Sequence, residues 1–79
     1  MAVLKKSPDP VDQHVGGRVK LRRQELGMSQ EKLADLLCLT FQQIQKYEKG
    51  TNRISASRLQ DIARIMKVSA ESFFEGTPG

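Results

Sequence analysis

The chain has 79 residues, 38% hydrophobic, 5% aromatic and 28% charged, which suits one small helical domain with an aliphatic core. No apolar run approaches the ~20 residues of a membrane span, and the opening MAVLKK lacks the long apolar stretch of a secretory signal, so the expected address is the cytoplasm. One cysteine, Cys38, and one histidine, His14, form neither an internal disulfide nor a zinc site, so no catalytic set, metal or cofactor is expected, while a net charge of +4 favours polyanionic partners.

Residues 1 to 9 read as a flexible tail: the stretch has no periodicity and carries Lys5 and Lys6 side by side. Asp9 and Pro10 then form an N-cap and a first-turn proline, with Asp12 adding negative charge at the positive helix end. This predicts a first helix from Pro10 to Leu26, with Val15, Val19 and Leu26 on its apolar stripe and Gly27 as its stop. Gly16 and Gly17 each cost about 1 kcal/mol against alanine in a helix interior, so fraying before Arg18 is expected. Arg18, Lys20 and Arg22 read as a solvated basic flank, and His14 and Leu21 as surface residues. Arg23 falls near the apolar stripe, where an unpaired charge is expensive.

The stretch from Ser29 to Lys49 is the most informative. Ser29 is a natural N-cap for a second helix from Gln30 to Leu37, whose buried stripe is Leu33, Ala34 and Leu37, with Leu36 packing at its edge. Thr40, with Gln43 three residues on, signals a capping box and a third helix from Phe41 to Lys49. Only Cys38 and Leu39 separate the two helices, which forces a steep crossing and makes the pair a helix-turn-helix. Ile44, Tyr47 and Glu48 share the packing side of the third helix, with Phe41 at its edge; Gln42, Gln45, Lys46 and Lys49 project from the other. A glutamine amide meets adenine N6 and N7 together, and a lysine meets guanine O6 or N7, so this face suits the major groove. Phe41, Gln42, Gln45 and Lys46 are the expected base readers, Phe41 against a thymine methyl.

Gly50 stops the third helix; Thr51, Asn52 and Arg53 after it, with Lys49 before it, offer phosphate donors at the level where a docked helix meets the DNA backbone. Ser55 caps a fourth helix from Ala56 to Lys67, with Leu59, Ile62, Ala63 and Met66 as its buried face and Arg58 as a further phosphate contact near its N-terminus. Ser69 caps a short fifth helix from Ala70 to Glu75, closed by Gly76. Phe73 and Phe74 diverge on it, so that one closes the core and the other is left for a dimer seam or for packing over the first helix. The folded unit is expected over residues 10 to 76, with a short tail at 77 to 79.

Ser29, Gln30, Leu33, Ala34, Thr40, Gln42, Ile44, Tyr47, Glu48 and Gly50 together resemble the signature of the Cro/C1 (XRE) helix-turn-helix domain of bacterial and phage regulators. The resemblance implies an all-α, compact five-helix bundle of the lambda-repressor type, with its third helix in the major groove. It also implies that Gln30 anchors a phosphate, alongside Thr40 and Gln43, and that Arg23 and Glu48 form a buried salt bridge bracing the recognition helix. Cys38 departs from the pattern, since that turn usually holds a glycine at positive φ; its thiol is expected to be inert and partly buried. The function implied is a non-enzymatic, sequence-specific regulator of transcription, a repressor that binds double-stranded DNA as a homodimer on a palindromic operator. Two alternatives use the same fold: an antitoxin-like module with a protein partner, and a restriction-modification controller protein.

Overall fold

Among the described residues every helix begins on a side-chain oxygen, and each α-helix is closed by a residue with left-handed backbone. A computed structural model describes residues 9–77. Its α-helices are α1 (Pro10–Glu25), α2 (Gln30–Leu37), α3 (Phe41–Lys49) and α4 (Ala56–Met66), followed by a 3-10 helix, Ala70–Phe74. The Asp9 carboxylate accepts from the Val11 N–H at 2.8 Å, and the hydroxyls of Ser29, Thr40, Ser55 and Ser69 accept from N–H groups three residues on, at 3.0 to 3.3 Å. Each bond satisfies a donor that the first helical turn leaves unpaired.

The closing turns share one pattern. Met28, Leu39, Thr51 and Val68 each donate a backbone N–H to the carbonyl five residues back, and the residue before each donates to the carbonyl three back. These are Schellman turns, which need a left-handed residue at the corner. Gly27 and Gly50 supply it without steric cost; Cys38 (φ 57°) and Lys67 (φ 58°) do not. Met28, Leu39 and Val68 then pack against the core, fixing where the chain goes next.

Cys38 is exposed, in contrast to the partly buried thiol expected. The left-handed backbone costs an L-residue about 1–2 kcal/mol, and an exposed side chain offers little packing in return. Cys38→Gly should therefore raise stability by about 1 kcal/mol, or roughly 4–8 °C in the melting temperature of a domain this size. A thermal melt checks this; an unchanged or lower midpoint would show that the thiol contributes contacts that offset the strain.

The core is formed by Val15 and Val19 of α1, Leu33, Ala34 and Leu37 of α2, Ile44 of α3, Leu59, Ile62, Ala63 and Met66 of α4, and Phe73. Three expectations need correction. The bundle has four α-helices and not five, because the space between the Ser69 cap and the positive φ of Gly76 is too short for sustained i→i+4 bonding. That segment bonds i→i+3 instead, Ser72 to Ser69 and Glu75 to Ser72, which suits a short connector that only has to deliver Phe73 to the core. The first helix ends at Glu25, and Leu26 is 40% exposed, because the turn at Gly27 sends Met28 back over the core in its place. Finally, α1 is continuous through Gly16 and Gly17. A Cβ on Gly16 would overlap the Tyr47 carbonyl oxygen and come within 3.0 Å of that of Glu48, so the glycine lets the α1 backbone rest directly on the last turn of α3.

Candidate nucleic-acid interface

On α3, Ile44 and Glu48 are buried and Tyr47 is half-buried, while Phe41, Gln42, Lys46 and Lys49 are exposed and Gln45 is half-buried. At about 100° per residue, Phe41, Gln42, Gln45 and Lys46 fall within an arc of about 140°. With Lys49, which projects inside the same arc, the outward face carries an aromatic ring, two amides and two cations.

Behind this face lies a buried polar network. Arg23 on α1 grips Glu48 on α3 with two bonds, Nε to Oε2 at 2.6 Å and Nη2 to Oε1 at 3.0 Å. Its Nη1 donates to the Met28 carbonyl at 2.7 Å, at the closing turn of α1. Gln30, the first residue of α2, donates from Nε2 to Glu48 Oε1 at 2.9 Å. Arg23 and Glu48 are only 8% and 6% exposed, and among the described residues no buried side-chain nitrogen or oxygen lacks a partner. A planar guanidinium that meets both oxygens of a carboxylate along one edge fixes distance and orientation together. The network ties the end of α1, the start of α2 and the last turn of α3 into one unit. It also orients Gln30, leaving the amide oxygen and one N–H for an outside partner.

The residues expected to touch phosphate are placed less uniformly. Thr40 is exposed, and its hydroxyl, which accepts from the Gln43 N–H at 3.2 Å, keeps its own proton to donate. Gln43 is half-buried; Lys49 and Asn52 are exposed. Arg53 is paired within the chain: its Nε lies 3.1 Å from both oxygens of Asp12, and its Nη2 4.0 Å from Asp9. Arg58 is half-buried and donates to the Leu37 carbonyl at 3.2 Å, so part of its hydrogen-bonding capacity closes the end of α2.

Arg18 and Arg22, expected to be solvated, instead donate to the Ser72 and Met66 carbonyls at 3.5 and 3.1 Å. His14 donates Nε2–H to the Glu75 carbonyl at 2.6 Å. Carbonyls near the ends of α4 and the 3-10 helix need donors, and these α1 side chains supply them. The need is visible in sequence, but the supplier is set by tertiary packing.

Comparison with known proteins places this arrangement. Residues 19–73 match the family described as Helix-turn-helix, designated HTH_3. The chain belongs to the Cro/C1-type (XRE) helix-turn-helix family. This XRE domain is 64% identical over 75 residues to an uncharacterized HTH-type transcriptional regulator of Sinorhizobium medicae, a match covering 95% of this chain and 54% of that protein. The chain spans about half the length of the curated relatives it matches. Among solved structures, the restriction-modification controller protein C.AhdI of Aeromonas hydrophila superposes with a TM-score of 0.73 at 26% identity, over 78% of this chain and 94% of that one. The biofilm master regulator SinR, solved in complex with DNA, superposes at 0.70 and 23% identity, over 76% of this chain and 97% of that one. Hydroxypropylphosphonic acid epoxidase of S. wedmorenis also shares the XRE fold, at a TM-score of 0.76 and 24% identity, but the overlap is 87% of this chain and only 35% of the epoxidase. Among the described residues no helix is long and apolar enough to cross a membrane.

Proposed function

We propose that residues 10 to 76 bind double-stranded DNA sequence-specifically, without chemistry of their own, as the reading module of a transcriptional regulator. The observation that carries this is the outer arc of α3, whose amides and lysine point away from a helix clamped from behind by Arg23, Glu48 and Gln30. A rigid mount matters because base readout depends on hydrogen-bond geometry, and a loosely held helix would lose discrimination before affinity. In this reading Gln42, Gln45 and Lys46 meet base edges and Phe41 a thymine methyl. Gln30, Thr40, Gln43, Lys49, Asn52 and Arg53 meet phosphates, with a smaller contribution from Arg58. One domain of this size reads few bases. A homodimer on a palindromic operator, with half-sites about 34 Å apart, supplies the remainder, and such a complex at a promoter acts as a repressor. The likeness to a restriction-modification controller fits the same mode of binding.

Selection from a randomised duplex library at physiological salt tests the proposal, and an enriched palindrome with half-sites one helical turn apart is the expected result. On that consensus, Gln42→Ala should cost about 1–3 kcal/mol at one base position and leave the others unchanged. A uniform loss across all sequences would remove Gln42 from the reading set. Absence of any enrichment would favour the antitoxin-like alternative and a protein partner.

A further inference from the structure

Arg53, the cation of the loop after α3, is held by acids on α1. Its Nε lies 3.1 Å from each carboxylate oxygen of Asp12, and its Nη2 4.0 Å from Asp9. The two sides of this contact differ in freedom. The Arg53 side chain is 72% exposed, while those of Asp12 and Asp9 are 19% exposed. Both carboxylates sit at the N-terminus of α1, where Asp9 accepts the Val11 N–H and the helix dipole favours negative charge. The acids are therefore the fixed partners and the arginine the movable one. A carboxylate and a phosphate present the same feature to a guanidinium, a pair of anionic oxygens that accept its N–H bonds.

We propose that Asp12 competes with DNA phosphate for Arg53 and thereby sets the sequence-independent affinity of the domain. This rests on the DNA-binding reading above. In the free protein the cation is neutralised internally. To reach a phosphate it must leave Asp12 or share its charge with it. Either course weakens binding to every duplex alike, so that occupancy depends more on the bases facing α3. Asp12 does not touch DNA in this scheme; it acts through Arg53.

The test measures binding of the full chain to a random-sequence duplex for wild type, Asp12→Asn, Arg53→Ala and the double variant, with thermal melts confirming that each is folded. Asp12→Ser, which keeps a small polar side chain in the first turn of α1 without the charge, provides a second neutral variant. Both neutral variants should bind about threefold more tightly or better, the scale of a released surface ion pair. The gain should vanish in the Arg53→Ala background, where the double variant should bind like the single one. Unchanged or weaker binding by both neutral variants would overturn the proposal, as would a gain that persists without Arg53, since Asp12 would then act by bulk charge alone. Wild type failing to bind any duplex would overturn the DNA-binding reading and this inference with it, whereas wild-type binding with no gain from either neutral variant overturns this inference alone.

Discussion

Glu48→Ala should lower the stability of the free protein by about 3–5 kcal/mol, the usual cost of stranding one member of a buried ion pair. The Glu48 side chain is only 2% exposed, and three hydrogen bonds end on its two oxygens, two from Arg23 and one from Gln30. Truncation leaves a guanidinium in a site that is 8% exposed, with the Met28 carbonyl as its remaining partner. A domain of this size has on the order of 4–12 kcal/mol in total, so the variant should melt roughly 15–30 °C lower or be unfolded at ambient temperature. Replacing both partners by apolar residues, as in Arg23→Met with Glu48→Met, should recover much of the loss, because no buried charge is then left unpaired. Recovery should stop short of completion: the Met28 carbonyl and the Gln30 amide each lose a partner, at about 1 kcal/mol apiece. Chemical denaturation of the wild type, both single variants and the double variant closes the cycle. If Glu48→Ala melts within a few degrees of wild type, the pair does not hold α1 and α3 together. If the double variant is stable but has lost sequence preference, the ion pair matters for aiming α3 more than for folding.

Much of the architecture was legible because helix ends are signalled locally. Asp9, Ser29, Thr40, Ser55 and Ser69 each mark a start, and a capping oxygen acts over three residues whatever the rest of the chain does. Leu33, Ala34 and Leu37, or Leu59, Ile62, Ala63 and Met66, are likewise fixed by helical period. What could not be read depended on a neighbour from another part of the chain. Leu26 continues the apolar stripe by spacing, yet lies past the end of α1, where the turn at Gly27 brings Met28 over the core in its place. Leu36, expected at the edge of the α2 stripe, is 45% exposed. Ala70–Phe74 is too short for its own pattern to choose between α and 3-10 bonding, and the choice follows from burying Phe73. In the candidate interface, the split between the inner and outer faces of α3 was a matter of period. The Arg53–Asp12 pair and the bond from Arg58 to Leu37 join residues 41 and 21 apart, and no local rule connects them.

Gly16 and Gly17 carry the same lesson to its sharpest test, since adjacent identical residues should respond in opposite directions to the same substitution. On helix propensity alone, alanine at either position should gain about 1 kcal/mol. At Gly17 nothing lies within 4 Å of the added Cβ, and that gain should appear nearly in full. At Gly16 the Cβ would overlap the Tyr47 carbonyl oxygen and approach the Glu48 carbonyl oxygen and carbon to 3.0 and 3.1 Å. These are backbone atoms of the last turn of α3, and no rotamer change removes them. The α1 backbone would have to lift away, yet one turn earlier Gln13 is pressed against Gly50, whose own Cβ would fall 2.5 Å from the Gln13 Cα. Lifting α1 also pulls Arg23 from Glu48, because both contacts join the same two helices. The overpacking cost, usually 1–3 kcal/mol, should therefore reach the upper end of that range or pass it and exceed the propensity gain. Thermal melts of the two single variants should bracket the wild type, Gly17→Ala above and Gly16→Ala below. Should both stabilise, α1 and α3 do not meet backbone to backbone, and the close seam that holds α3 in place would have to be abandoned.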